Sequence, residues 1–204
     1  MKSLLIDTAT HIGLVVVGDG DKVLSFAHFS CGFQTGDNLW SSIDAVLKEG
    51  GCKIEDISYI GCGVGPGSYT GIRAGVAAAK GLQEGLQCKL VGVPSIHLFV
   101  PEEKVPYSVV IDARIGGFYW YDGKEELLLT KEELLERKPI LMVTPQKKEL
   151  LKKLPECHIE EVLPSPEEFV QRAYVAFIHN EWQSPVELLY LRKTQPEIER
   201  QSTF

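Results

Sequence analysis

Residues 63–75, Gly-Val-Gly-Pro-Gly-Ser-Tyr-Thr-Gly-Ile-Arg-Ala-Gly, force a break in regular structure. A run this dense in glycine, with Pro66 inside it, sustains neither a strand nor a helix interior. It specifies a tightly bent loop with several N–H groups turned outward. The apolar run before it, Ile-Ser-Tyr-Ile-Gly-Cys over 57–62, reads as a buried strand, and a helix over 70–86 follows it. A loop between a strand and a helix N-terminus either holds an anion or aims the helix at a partner.

The loop's register fits neither standard nucleotide motif. No glycine pair is followed by Lys in the G-x-x-x-x-G-K-[ST] frame, and G-x-G-x-x-G frames begun at Gly61, Gly63 and Gly65 meet Pro66, Ser68 and Thr70. Asp7-Thr8-Ala9-Thr10, closing the first strand, is more suggestive, because an Asp followed by hydroxyls there can hold a metal and phosphate. Ala9 stands where a glycine would let phosphate approach the backbone. Asp112, in Asp-Ala-Arg-Ile-Gly-Gly over 112–117, takes the matching place later in the chain. Asp7, Thr8, Thr10 and Asp112 therefore read as a degenerate nucleotide site.

Other chemistries find less support. The histidines at 11, 28, 97, 158 and 179 include no pair at helical spacing, so no metal site is expected, and each reads as a strand-end, turn or surface residue. Gly67-Ser-Tyr-Thr-Gly71 puts Tyr69 where a nucleophile elbow needs Ser. The five cysteines form no CxxC pair, which suits a reducing, cytoplasmic compartment, and Cys62 reads as buried packing. A net charge of −7 offers no basic track for nucleic acid. No apolar run approaches the ~20 residues of a membrane span.

Strands over 3–8, 12–18 and 23–29 come first, the last two joined by a Gly-Asp-Gly-Asp-Lys turn. A helix over 38–48 follows, with Asp37 as its expected N-cap. Adding strand 57–62, helix 70–86 and strand 89–93 gives β-β-β-α-β-α-β, the ribonuclease H-like order. Beyond Val93 a strand over 107–113, a hairpin from Phe118 and helices near 131–137, 145–154 and 167–181 form a smaller, less regular unit. The expected division is a first lobe over 1–100 and a second over 101–204.

The two N-terminal helices carry an interaction signal. Gly71, Ala74, Gly75, Ala78, Leu82 and Gly85 recur at three- and four-residue steps, while Val76, Ala77 and Ala79 extend apolar character around the helix. A helix apolar on more than one face is buried on more than one face, and a partner is expected to cover the second. Trp40 beside the Leu39/Ile43 stripe makes a similar case. Leu at Gly75 or Ala78 is expected to disturb that docking.

These segments, with Lys80-Gly-Leu, Val91-Gly-Val-Pro-Ser95, Ile111-Asp-Ala-Arg-Ile-Gly-Gly-Phe-Tyr-Trp120 and Tyr190-Leu-Arg192, resemble the TsaB (YeaZ) family. That family belongs to the bacterial tRNA threonylcarbamoyladenosine machinery, and older usage labels its relatives glycoproteases of the M22 peptidase type. The resemblance implies an α/β actin- and hexokinase-like (ASKHA) fold of two ribonuclease H-like lobes, the second reduced. It implies an accessory subunit without catalysis of its own, dimerising with a TsaD-type catalytic paralogue and joined by a TsaE-type ATPase. tRNA would be met only through the complex, a homodimer is expected in isolation, and ATP or ADP would sit at the subunit interface rather than in this chain alone. The implied docking residues are Leu39, Trp40, Ile43, Tyr69, Ile72, Arg73, Val76, Ala77 and Lys80. Thr35-Gly-Asp37 replaces the His-Ser-Glu common in relatives. The alternative reading is an ATP-dependent, kinase-like or glycoprotease-like enzyme of the same fold class.

Overall fold

The computed structural model describes residues 1–114, 116–183, 185–189 and 191. Strands β1 (Lys2–Asp7), β2 (Ile12–Asp19) and β3 (Lys22–Ser30) form an antiparallel meander. Helix α1 (Thr35–Glu49), strand β4 (Ile57–Gly63), helix α2 (Tyr69–Leu86) and strand β5 (Lys89–Val93) follow. The sheet order is β3-β2-β1-β4-β5, with β4 parallel to β1 and β5 parallel to β4. The expected ribonuclease H-like order is the one observed.

The second unit repeats that wiring. Strands β6 (Ser108–Asp112), β7 (Phe118–Tyr121) and β8 (Glu126–Leu129) form the meander. Helix α3 (Lys131–Glu136), strand β9 (Met142–Thr144), helix α4 (Lys147–Lys153) and strand β10 (Ile159–Glu161) complete it, in the order β10-β9-β6-β7-β8. It is reduced in length rather than in topology: its strands have 3 to 5 residues, against 5 to 9 in the first sheet. Short strands carry few alternations, which is why this half looked irregular in sequence.

The central strands of the first sheet are buried on both faces, so β1 and β2 read as nearly continuous apolar runs. Helices α1 and α2 cover one face, through Leu39, Ile43, Ile72 and Val76 against Leu4, Ile6, Val15 and Ile60. The other face is covered by α5 (Pro166–Ile178), through Phe169, Val170 and Ala173 against Leu5, Leu14, Val16 and Tyr59. This helix lies in the 101–204 stretch read as the second lobe, yet its apolar face closes the first. Gly61 permits the approach: a Cβ there would lie 2.6 Å from Leu5 Cδ2 and 3.4 Å from Ala173 Cβ.

Helix α1 begins earlier than the sequence indicated. The Thr35 hydroxyl accepts from Gly32 N–H (2.7 Å) and donates to the Gly32 carbonyl (2.8 Å), closing a turn from which the helix starts at once. Gln34 is thus at the cap position, without a side-chain cap bond, and Asp37 sits inside the first turn. There its charge still favours the helix N-terminus.

Because α5 covers one face of the first sheet, Phe169→Ala should destabilise the whole first lobe by about 3–5 kcal/mol. Urea unfolding followed by circular dichroism measures it. A loss confined to the second sheet would contradict this packing.

Candidate functional site

The glycine turn is a clasp around the end of β1. At Gly63 a Cβ would overlap the Asp7 carboxylate and lie 2.6 Å from Ser95 Oγ. The Ser95 hydroxyl donates to Asp7 Oδ2 and accepts from Gly65 N–H at 3.0 Å; Asp7 Oδ1 accepts from Ala9 N–H at 3.1 Å. Asp7 is only 1% exposed, and burial raises its pKa above the usual carboxylate value, while its hydrogen bonds to Ser95 and Ala9 oppose the shift.

The rest of the turn folds onto the same segment. Ser68 N–H donates to the Ala9 carbonyl (2.7 Å), and the Ser68 hydroxyl caps α2 by accepting from Gly71 N–H (3.3 Å). The Thr8 hydroxyl donates to the Gly71 carbonyl at 2.7 Å. Cβ atoms at Gly71 and Gly75 would collide with the Thr8 carbonyl and hydroxyl oxygens respectively. The small-residue stripe expected to face a partner is therefore filled from within at Gly71 and Gly75. With the N–H groups of Val64, Gly65 and Ser68 all bonded inside the chain, those three donors are not offered to an anion.

The predicted nucleotide residues are brought to two strand ends and engaged there. Thr8 and Thr10 are buried, and the Thr10 hydroxyl donates to the Ile12 carbonyl at 2.9 Å. Asp112 meets the Lys153 ammonium at 2.7 Å and accepts from Arg114 N–H at 2.8 Å. A magnesium-bound phosphate needs carboxylate oxygens open to the cleft. Asp7 is sealed and Asp112 is held by a lysine, so these residues do not fit that group. Among the described residues no cluster of three or more His, Cys, Asp or Glu comes together. Cys62 is fully buried, its thiol pushed up to about 12 by desolvation and then by the Asp7 charge, which leaves it an inert packing group.

The docking residues divide by burial. Leu39, Ile43, Ile72 and Val76 lie in the chain's own core and are not available to a partner, a correction that follows from α1 and α2 turning these stripes onto the sheet. Trp40 (49% exposed), Tyr69 (48% exposed), Arg73, Ala77 and Lys80 face outward. The Arg73 guanidinium lies over the Tyr69 ring, 4.6 Å from its centroid. Phe33, which the sequence reading passed over, is fully exposed just before α1. A Cβ at Gly81 or Gly85 would meet nothing within 4 Å, so the open side of α2 is shallow.

The model of the family described as TsaD, tRNA N6-adenosine threonylcarbamoyltransferase, matches residues 36–171, more than half of the chain. The chain belongs to the TsaD family. Within it, the resemblance to TsaB (YeaZ) holds. The chain is 30% identical over 132 residues to the tRNA threonylcarbamoyladenosine biosynthesis protein TsaB of Escherichia coli, covering 62% of this chain and 56% of that one. It is 26% identical over 157 residues to the protein of the same name from Buchnera aphidicola, covering 74% of each. It thus spans little more than half the length of the first of these relatives. Among solved structures, YeaZ from Pseudomonas aeruginosa superposes with a TM-score of 0.74 at 18% identity, covering 93% of this chain and 99% of that one. An uncharacterized Pseudomonas aeruginosa protein with similarity to the peptidase YeaZ gives 0.77 at 20% identity, covering 94% and 99%. The α/β fold with its two five-stranded sheets is thereby shared with YeaZ. Of the motifs that carry the resemblance, Tyr190 and Arg192 lie outside the described residues.

One polar cluster lies apart from the motifs shared with TsaB. His97, just after β5, stacks on Tyr121 of the second sheet with centroids 4.1 Å apart. Its Nε2 lies 2.5 Å from Glu126 Oε1, a charge contact without hydrogen-bond alignment, and its Nδ1 is 3.2 Å from Arg172 of α5. Burial and the Arg172 charge lower its pKa, Glu126 opposing, and the ring ties the two sheets together. It borders a cavity of about 440 Å³ lined by Gly92, Pro94, Glu168, Arg172 and Val175. No pattern in the sequence links His97 to Arg172, 75 residues on.

Two tests follow from the clasp. Asp7 has a folded pKa above its ordinary value of 3.8, so the folded state binds the extra proton, and stability is lost as pH rises from about 4 through the raised pKa. In Asp7→Asn that pH-dependent loss should vanish; urea titrations at several pH values measure the difference, and curves parallel to wild type would refute it. Gly75→Leu should destabilise the isolated chain by on the order of 1–3 kcal/mol through collision with Thr8. A thermal melt at wild-type temperature would show that the stripe faces outward after all.

Proposed function

We propose that this chain is the non-catalytic partner of a TsaD-type paralogue in tRNA threonylcarbamoyladenosine biosynthesis, and that it acts by presenting α1 and α2 as a docking face. The observation that carries this reading is the outward side of those helices: Trp40 of α1 and the stacked Tyr69–Arg73 pair of α2 stand exposed, with Ala77 and Gly81 further along α2 and Phe33 just before α1. Aromatic and arginine anchors around small residues are what a close helix–helix interface uses. Their exposure on a helical face already buried on its other side leaves a second surface for association.

The clasp supports the same division of labour. Asp7 and Asp112, the aspartates at the two strand ends, are engaged within the chain, so catalysis and nucleotide are assigned to the paralogue and to its boundary with this subunit. A TsaE-type ATPase completes the assembly, and tRNA is met through the complex, in the cytoplasm. The net charge of −7 accords with a subunit that does not hold tRNA directly.

Trp40→Ala and Ala77→Glu should each weaken binding of the TsaD-type paralogue by at least about tenfold, a hot-spot loss. Because both sites are exposed, the melting temperature of the isolated chain should stay near wild type. Calorimetric titration reads the affinity, and tRNA modification by the reconstituted pair should fall in step. Unchanged affinity in both variants would overturn the face. Loss of self-association alone would make it a homodimer surface instead.

A further inference from the structure

The segment 185–189, with Leu191, crosses the back of the clasp and joins both sheets. Its need arises in the backbone. Val64 N–H continues the β4–β5 ladder to the Val93 carbonyl at 2.9 Å, but Pro94 has no N–H and Ser95 N–H turns to the Gly65 carbonyl at 2.8 Å. The Val64 carbonyl is left without a β5 donor, and Leu189 N–H supplies one at 2.8 Å.

Side chains fix the segment in the same place. Val186 lies over Gly92, its Cγ1 3.4 Å from where a Cβ would be. Val186, Leu188 and Leu189 pack on the core beneath α1 and α2, whereas Leu191 packs on the core of the second sheet with Ile96 and Phe99. Upstream, Lys89 of β5 sits over the Trp182 ring at 4.2 Å. Gly65 in turn touches α2: a Cβ there would be 2.7 Å from Ile72 Cδ1 and 3.2 Å from the Leu189 carbonyl. Contacts thus run from Leu189 to Gly65, Ile72 and the start of α2, while Leu191, two residues on, packs on the second sheet.

We propose that this segment is a strap whose seating sets the position of the glycine turn and the N-terminus of α2, so that strap seating and partner docking are coupled. The coupling to docking rests on the α1–α2 face being the partner surface; the coupling to the turn does not. Coupling of this kind is reciprocal: a partner that prefers the seated α2 tightens the strap by the same factor that the strap tightens the partner.

Hydrogen exchange on the full chain, read by mass spectrometry, tests it. Leu189→Pro deletes the donor to Val64, and the milder Val186→Ser loosens the seat over Gly92. In both, amides of residues 65–72 should exchange about tenfold faster, as local opening predicts, while α5 and the second meander stay at wild-type rates. Adding the TsaD-type paralogue to wild type should slow exchange at Leu189. If the strap amides exchange faster in Val186→Ser and residues 65–72 do not, the strap is only a cover and the proposal fails. If residues 65–72 respond but paralogue binding ignores both Trp40→Ala and the strap variants, the strap stands as a brace of the turn and the docking face is what fails.

Discussion

The closure of Asp7 by Ser95 and Gly65 is the constraint from which the rest of the first lobe is built. Three strands, β1, β4 and β5, end within one hydrogen-bonded group: Asp7 closes β1, Gly63 closes β4, and Ser95 follows β5. A carboxylate 1% exposed costs free energy unless every oxygen has a donor, and the donors here are the Ser95 hydroxyl after β5 and Ala9 N–H just past β1. Gly63 is glycine because the carboxylate lies where its side chain would be. The turn after Gly63 cannot wander, since its own amides complete the group, and α2 starts where that turn leaves it.

How much of this was legible depended on whether the signal was local. The β-β-β-α-β-α-β order, the turn and the start of α2 near residue 70 follow from periodicity and glycine placement, which are properties of short windows. The partner of each small residue is not such a property. Gly71 and Gly75 looked like half of an intermolecular contact because a sequence stripe says that something approaches closely, but not what. Thr8, more than sixty residues earlier, is what approaches. Ser95 stood in plain view within Val91-Gly-Val-Pro-Ser95, yet its hydrogen bond to Asp7 spans 88 residues and leaves no periodic trace. Leu39 and Ile43 read as an apolar stripe and Val76 as part of an apolar second helix; the sheet rather than a partner takes them, together with Ile72.

The two lobes solve one problem in two ways. Each meander ends its first strand on an aspartate, Asp7 on β1 and Asp112 on β6, and neither is left free. In the first lobe the carboxylate is sealed by hydroxyl and amide donors under close-packed glycines. In the second, with shorter strands and a more open rim, Lys153 at the end of α4 provides a counter-charge at 2.7 Å. The difference matches the packing. Burial with hydrogen bonds needs a dense core around it, which the long strands of the first lobe supply. A lysine on a short helix needs no such core, because its ammonium reaches the carboxylate from the surface side.

Rigidity built this way has a consequence for where binding energy can act. The apolar inner sides of α1 and α2 are fixed to the sheet, and α2 is further held by Thr8, Ser68 and the turn. A surface on such helices is preorganised, so docking on Trp40, Tyr69 and Arg73 as proposed would order few side chains on contact. The stacking of Arg73 on Tyr69 removes part of that cost in advance. The same interaction group that seals Asp7 therefore stiffens the helix that faces outward. Sealing the carboxylate and presenting the helix are one structural act, carried by the residues between Asp7 and Gly75.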